Sequence, residues 1–228
     1  MHMRATASDK RKKQRAQKLV SAIAGVVGLD PLPSVSRIAR EDRDPFRILV
    51  STVISLRTKD EVTDEASRRL FALADTPDVL SRLNVRSIQK AIYPAGFYKT
   101  KARALKDISR RLVEEYGGRV PDTVDELLTF KGVGRKTATL VVSLGYGKDA
   151  ICVDTHVHRV SNRLGLVATS NPTETEFALM DTVPRRYWIG YNELMVRFGQ
   201  QVCKPISPHC STCAVLRSCP RVGVGVHR

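Results

Sequence analysis

The sequence has no apolar run approaching the roughly 20 residues that a bilayer-spanning helix requires, which excludes a transmembrane helix. Its N-terminus is basic and lacks the apolar stretch of a secretory signal, so export is not expected. No convincing set of alternating apolar and polar residues is present, which argues against a sheet. Nothing reads as an internal repeat or a low-complexity linker. Acidic residues are in deficit, with 23 Asp and Glu against 38 Lys and Arg and a net charge of +15. That surplus disfavours a near-neutral surface and points to a polyanionic partner, nucleic acid before an anionic membrane. Cysteine is scarce outside one place. Of five, Cys203, Cys210, Cys213 and Cys219 crowd the last 26 residues, and Cys152 stands alone. An oxidised exported scaffold spreads its cysteines through the chain. A reducing intracellular compartment fits better, with the clustered thiols as metal ligands rather than disulfides.

What is present is ordinary globular material. With 228 residues and 42% hydrophobic content, the chain can form one or two domains around a real core. Residues 1–18 are polar and basic and read as a solvated, partly frayed tail, or as a nonspecific phosphate contact. Met1-His2-Met3 carries no expectation of function. Leu19, Ile23, Val26 and Val27 recur at helical spacing, and Gly28 with Pro31-Leu32-Pro33 stops that helix. Further helical patterns run through 46–54, 60–73, with Leu73 inward, 87–93, 99–116, 124–128, 137–144, 155–164, 174–183 and 187–198. The expected fold is all-α, with about ten helices and short connections.

Three local patterns carry chemistry. Phe130-Lys131-Gly132-Val133-Gly134-Arg135-Lys136 lies between two short amphipathic helices. Two glycines one residue apart permit a tight turn and leave amides uncovered, ready for a phosphate oxygen. The segment therefore reads as a helix-hairpin-helix grip on a nucleic-acid backbone or as a plain turn. Lys136 follows at once. A free lysine is neutral in only about one copy per thousand at pH 7.4, so a nucleophilic lysine needs a lowered pKa or a carboxylate to take its proton. Asp154, in Cys152-Val153-Asp154-Thr155-His156, is such a carboxylate, but just ahead of a helical stretch it reads first as an N-cap. The four clustered thiols, spaced Cys203-x6-Cys210-x2-Cys213-x5-Cys219, could hold zinc or an iron–sulfur cluster.

FKGVGRKTA, then VDTHVHRV, then this cysteine spacing resemble, in order, the endonuclease III family of DNA glycosylases. The resemblance covers about residues 20–220. It implies a helix-hairpin-helix glycosylase fold of two helical lobes: a helical barrel domain over 38–148 with the hairpin, and an iron–sulfur domain joining 1–37 to 149–228. It implies a 4Fe–4S cluster on Cys203, Cys210, Cys213 and Cys219, structural in role, with Cys152 a core thiol. DNA would lie across the basic face, its damaged nucleotide flipped into a cleft between the lobes. Lys136 would attack the sugar as nucleophile, and Asp154 would stabilise the cationic sugar and assist proton transfers. A lysine here implies glycosylase plus AP lyase activity on oxidised pyrimidines in base excision repair. The partner would be double-stranded DNA with damaged bases or abasic sites, met by a monomer with no membrane association.

The resemblance also assigns DNA contacts and exposes departures. Arg57 stands where the family usually presents a gap-filling glutamine, and it also reads as a surface arginine. Phe97 matches a wedge position, often leucine, and also reads as core. Lys131 replaces a common hairpin proline. Gly132, Gly134 and Arg135 belong to the backbone grip. His156 matches a DNA-contacting position or serves structure. The loop between Cys203 and Cys210 carries only Lys204 as a fixed positive charge. Two other readings are a monofunctional mismatch or uracil glycosylase, which Lys136 speaks against, and a noncatalytic iron–sulfur DNA-binding module.

Overall fold

A computed structural model of the chain describes residues 6–27 and 32–228. Among the described residues the regular elements are all helical. The chain divides into two compact units, residues 33–150 and residues 1–32 with 151–228.

Helix α1 (Ala7–Ala24) opens with a capping box: Thr6 accepts from the Asp9 amide, and the Asp9 carboxylate accepts from the Thr6 amide. Those bonds with Thr6 hold the Asp9 carboxyl below its ordinary range. The basic stretch expected as a frayed tail is therefore helix from residue 7. Lys10, Arg11, Lys12, Lys13 and Lys18 are exposed, while Ala16, Leu19, Val20 and Ile23 form a buried stripe. Val26 lies beyond the helix and is exposed. Met1-His2-Met3 and the expected stop at Gly28 and Pro31 lie outside the described residues.

In the unit of residues 33–150, α2 (Ser34–Glu41) leads to α3 (Pro45–Ser55). Asp44 caps α3 by accepting from the Phe46 amide at 2.8 Å, with Pro45 pre-set at the first helical position. Helix α3 is apolar nearly all round and is correspondingly central. Phe46, Ile48, Leu49, Val50, Val53 and Ile54 are all buried. Each contributes on the order of 2 kcal/mol relative to exposure. Around it come α4 (Asp60–Phe71), α5 (Pro77–Arg82), α6 (Val85–Ile92), α7 (Tyr98–Tyr116), α8 (Val124–Leu128) and α9 (Arg135–Leu140). The β-branched pair Val141-Val142 continues α9 as a π turn over Val141–Gly145. Helix α3 packs against α2, α4, α7, α9 and that turn, while α5 and α6 pack on α7. The periodicity missed α2 and α5: α2 buries Ser34, Ser36 and Ala39, and α5 is a six-residue helix started by Thr76 and Pro77. Leu73, expected inward, is exposed beyond the end of α4, where Ala74 is buried instead.

In the other unit, α10 (Thr155–Arg163), α11 (Pro172–Thr182) and α12 (Trp188–Gln201) share a core with α1. Leu19, Ile23, Val157, Val160, Leu179, Met195 and Phe198 are its centre. Tyr191 is fully buried with its hydroxyl 3.0 Å from Ser161 Oγ, and burial pushes the phenol above its ordinary pKa. Arg15 donates to the carbonyls of Leu164, Gly165 and Ser218, fastening α1 to the C-terminal segment.

Candidate nucleic-acid and catalytic site

The unit of residues 33–150 carries the hairpin. Thr123 caps α8, and Thr129 to Gly134 form the turn before α9. The turn is anchored on α7: Arg111 donates to the Thr129 carbonyl at 2.8 Å and lies over the buried Phe130 ring at 4.4 Å. Gly132 has φ +91°, and a Cβ there would also sit 3.2 Å from Ala104 Cβ. Gly134, the N-cap of α9, differs. Its backbone is extended at φ −94°, and a Cβ would meet nothing within 4 Å. Gly132 is required by the turn, whereas Gly134 leaves its surface open. Lys131 is exposed, while Arg135 and Lys136 are half-buried on the first turn of α9. The residues after Lys136, Thr137 to Leu140, are buried, so its backbone is held by core packing.

A second pair of sequence-selected residues in this unit meets in space. Arg57 follows α3, and Phe97 precedes α7. Their guanidinium and ring lie 5.5 Å apart, a cation–π pair. Both are exposed, Phe97 by 63%, so it is not core. Both are left-handed, at φ 52° and 57°, a backbone state that costs a non-glycine residue about 1 kcal/mol or more. What holds them was not legible from the sequence. The Lys101 ammonium on α7 is buried and donates to Ile54 O at 2.6 Å, Leu56 O at 2.5 Å and Thr58 Oγ1 at 2.9 Å. Burial pulls its pKa down to about 8. Thr58 Oγ1 also accepts from the Gly96 amide at 3.1 Å. A Cβ at Gly96 would lie 2.4 Å from the Arg57 carbonyl oxygen, so only glycine permits this approach.

The unit containing residues 151–228 carries Asp154. It is the N-cap of α10, and its Oδ1 accepts from the amides of His156 and Val157, both at 2.9 Å. The cap expected from the sequence is therefore present, and it fixes the carboxylate rigidly. His156 is half-buried, with Nδ1 3.2 Å from Arg159 Nη2. Arg159 also donates to the carbonyls of Gly199 and Cys203.

Cys203, Cys210, Cys213 and Cys219 line one small cavity with Leu164, Phe198, Val202 and Val215. Arg163 binds the segment after Cys203, donating to Lys204 O at 2.6 Å and Pro205 O at 2.9 Å. Burial raises the Cys213 and Cys219 thiols above their ordinary values, and the neighbouring cysteines raise them further. Four sulfurs around one apolar cavity form a donor set suited to a cationic iron–sulfur centre. Among the described residues, no group of three or more His, Cys, Asp or Glu is arranged to hold a single metal ion. Cys152 is buried elsewhere, where Asn192 donates to its carbonyl. No described helix is long and apolar enough to cross a membrane.

Residues 50–185 match the HhH-GPD superfamily base excision DNA repair proteins. Endonuclease III of Thermotoga maritima is 49% identical over 179 residues, covering 78% of this chain and 84% of that protein. A trapped endonuclease III–DNA covalent intermediate, an estranged-adenine complex, matches with a TM-score of 0.82 and 34% identity, covering 92% of this chain and 96% of that one. A thermostable thymine-DNA glycosylase matches with a TM-score of 0.79 and 26% identity, covering 91% and 96%.

Proposed function

Because the chain belongs to the endonuclease III family of base excision repair DNA glycosylases with AP lyase activity, we propose that it acts on oxidised pyrimidines in double-stranded DNA through Lys136 and Asp154. The observation that carries this reading is a lysine on the first turn of α9, two residues after a Gly-Val-Gly hairpin that lies within the matched segment.

The lesion is flipped out of the stack, since its sugar is otherwise inaccessible. Lys136 Nζ, as the neutral amine, bonds to C1′ while the glycosidic bond breaks and the base leaves with the electron pair and a proton. The ring oxygen takes up a proton as its bond to C1′ breaks, and the opened sugar is left as a protonated imine on Lys136. Loss of the C2′ proton then expels the 3′ phosphate, and water hydrolyses the imine to free the lysine. Lysine is suited to this step because its single primary amine forms an imine, which arginine does not. Asp154 stabilises positive charge on the sugar and relays protons, and its two amide bonds keep the carboxylate from turning away.

Gly132, Gly134 and the amide of Arg135 hold a backbone phosphate, with Lys131 adding charge. Arg57 fills the space left by the flipped base, and Phe97 wedges beside it. His156 adds a contact from the start of α10. Cys203, Cys210, Cys213 and Cys219 hold a 4Fe–4S cluster. Through these residues the cluster would link the segment carrying Cys210, Cys213 and Cys219 to Cys203 at the end of α12. The protein acts as a monomer inside the cell, on DNA with damaged bases or abasic sites.

A second reading is a monofunctional mismatch glycosylase, which would release a base without strand scission; the observation on its side is the likeness to a thymine-DNA glycosylase. One assay separates the two. A duplex with a single thymine glycol is incubated with the protein, and free base and strand breaks are followed together. The proposed reading expects both products at matching rates. Base release without scission, from this duplex or from one carrying a mismatched thymine, would transfer the assignment to the second reading, and no product from either duplex would leave only a DNA-binding module.

A further inference from the structure

Lys101 is a buried lysine that the reaction above does not use. It is 7% exposed, and it sits one helical turn after Phe97, whose carbonyl accepts from the Lys101 amide at 3.0 Å. An ammonium has three N–H bonds. Here three acceptors surround it: the carbonyls of Ile54 and Leu56 at the end of α3 and the hydroxyl of Thr58. Its charge is spent inside the protein, so its contribution to DNA binding is not attraction to phosphate.

The three acceptors flank Arg57 on both sides. Thr58 then passes the link to Gly96, the residue before Phe97. A single side chain thus ties the Arg57 tip to the Phe97 tip. A second brace comes from α4, where Arg69 donates to Ala91 O at 2.8 Å and to Tyr93 O. Left-handed non-glycine residues persist only where their surroundings fix them. Arg57 and Phe97 are two of them, side by side, exposed to solvent and already paired, guanidinium to ring.

We propose that Lys101 is a positioning residue that fastens the Arg57 and Phe97 tips into one preformed unit, so that gap filler and wedge enter the duplex together. This rests on the reading of Arg57 and Phe97 as DNA-contacting residues. Preforming the pair removes the ordering cost that two separate loops would bear on binding. Methionine at position 101 would fill the space but take the ammonium away from the carbonyls of Ile54 and Leu56, leaving Leu56 O only the longer 3.3 Å bond from the Thr58 hydroxyl.

The test uses the full chain as wild type, Lys101→Met, Thr58→Val, Arg57→Ala and Phe97→Ala. Two substrates are compared at single turnover: a duplex with one thymine glycol, and a single-stranded oligonucleotide with one abasic site. The second needs the lysine chemistry but leaves no gap to fill. Lys101→Met is expected to slow duplex excision about tenfold, and Thr58→Val roughly threefold, with single-strand scission within about twofold of wild type. Thr58→Val, which keeps Lys101 in place, decides the matter if Lys101→Met does not fold. Equal losses on both substrates would show general damage and overturn the proposal. So would unchanged duplex excision in Lys101→Met and Thr58→Val while Arg57→Ala and Phe97→Ala are slow. Full duplex activity in Arg57→Ala and Phe97→Ala would overturn the underlying reading itself, and the proposal with it.

Discussion

Gly96→Ala is the smallest change that strikes the tip assembly. Its Cβ would lie 2.4 Å from the Arg57 carbonyl oxygen and 3.4 Å from the carbonyl carbon. An ordinary carbon–oxygen contact is about 3.3 Å or longer, so roughly 1 Å must be absorbed. The obstructing atom is backbone, and it belongs to a residue already in a left-handed state. Moving it stretches the Gly96 to Thr58 hydrogen bond of 3.1 Å. Overpacking of this kind costs about 1–3 kcal/mol, and loss of the bond adds about 1 kcal/mol. A total near 2–4 kcal/mol corresponds to a Tm lower by roughly 8–16 °C in a unit of this size. Urea and thermal unfolding measure the stability, and thymine glycol excision from duplex should fall about tenfold. Gly134→Ala is the control, because a Cβ there meets nothing within 4 Å and the backbone is extended. It should keep full stability while weakening DNA binding at the hairpin. A Gly96→Ala protein as stable and as active on duplex as wild type would refute the steric reasoning.

Asp154 combines a cap with a chemical role, and two substitutions separate them. Asn caps as well as Asp, so Asp154→Asn should leave unfolding within about 0.5 kcal/mol while excision drops at least a hundredfold; Asp154→Ala should lose about 1 kcal/mol as well. An active Asp154→Asn enzyme would reduce the residue to its cap. Lys101 predicts a pH dependence of stability. Its folded pKa of about 8 lies below its ordinary 10.5, so between those values the unfolded chain holds a proton that the folded chain has lost. Wild type should therefore gain stability relative to Lys101→Met as pH rises from 8 to 10.5, and urea midpoints at both ends would show it; a flat or falling difference would count against the buried charge. Removing the iron of the proposed cluster should loosen residues 203–219 and lower the melting temperature. Circular dichroism should change little, because that stretch holds one short helical turn and the core of its unit is built from α1, α10, α11 and α12.

The long helices were legible because their apolar residues recur with one period. Ala102, Leu105, Ile108 and Leu112 in α7 are buried as that pattern requires. Helix α2 buries two serines and Ala39 beside a single larger apolar residue, Val35, and α5 is too short to show a period. The start of α1 was hidden because its charged residues look like a tail, and only the Thr6–Asp9 box marks the true end. The hairpin, Lys136, Asp154 and the cysteine spacing stood out as local patterns of special residue types. Lys101 did not, because a buried lysine and a solvated one are the same letter. Its acceptors lie 43 to 47 residues away, and two of them are backbone carbonyls, which leave no trace in a sequence. Arg57 and Phe97 were each selected on their own, and only the fold brings their side chains within 5.5 Å.

The central claim is the imine on Lys136, and reductive trapping tests it most directly. The protein is incubated with a thymine glycol duplex and borohydride, alongside an undamaged duplex and the Lys136→Ala variant. The expected result is a covalent protein–DNA band that requires both the lesion and Lys136. A folded wild-type protein that binds the damaged duplex yet gives no band, or a band that survives in Lys136→Ala, would contradict it.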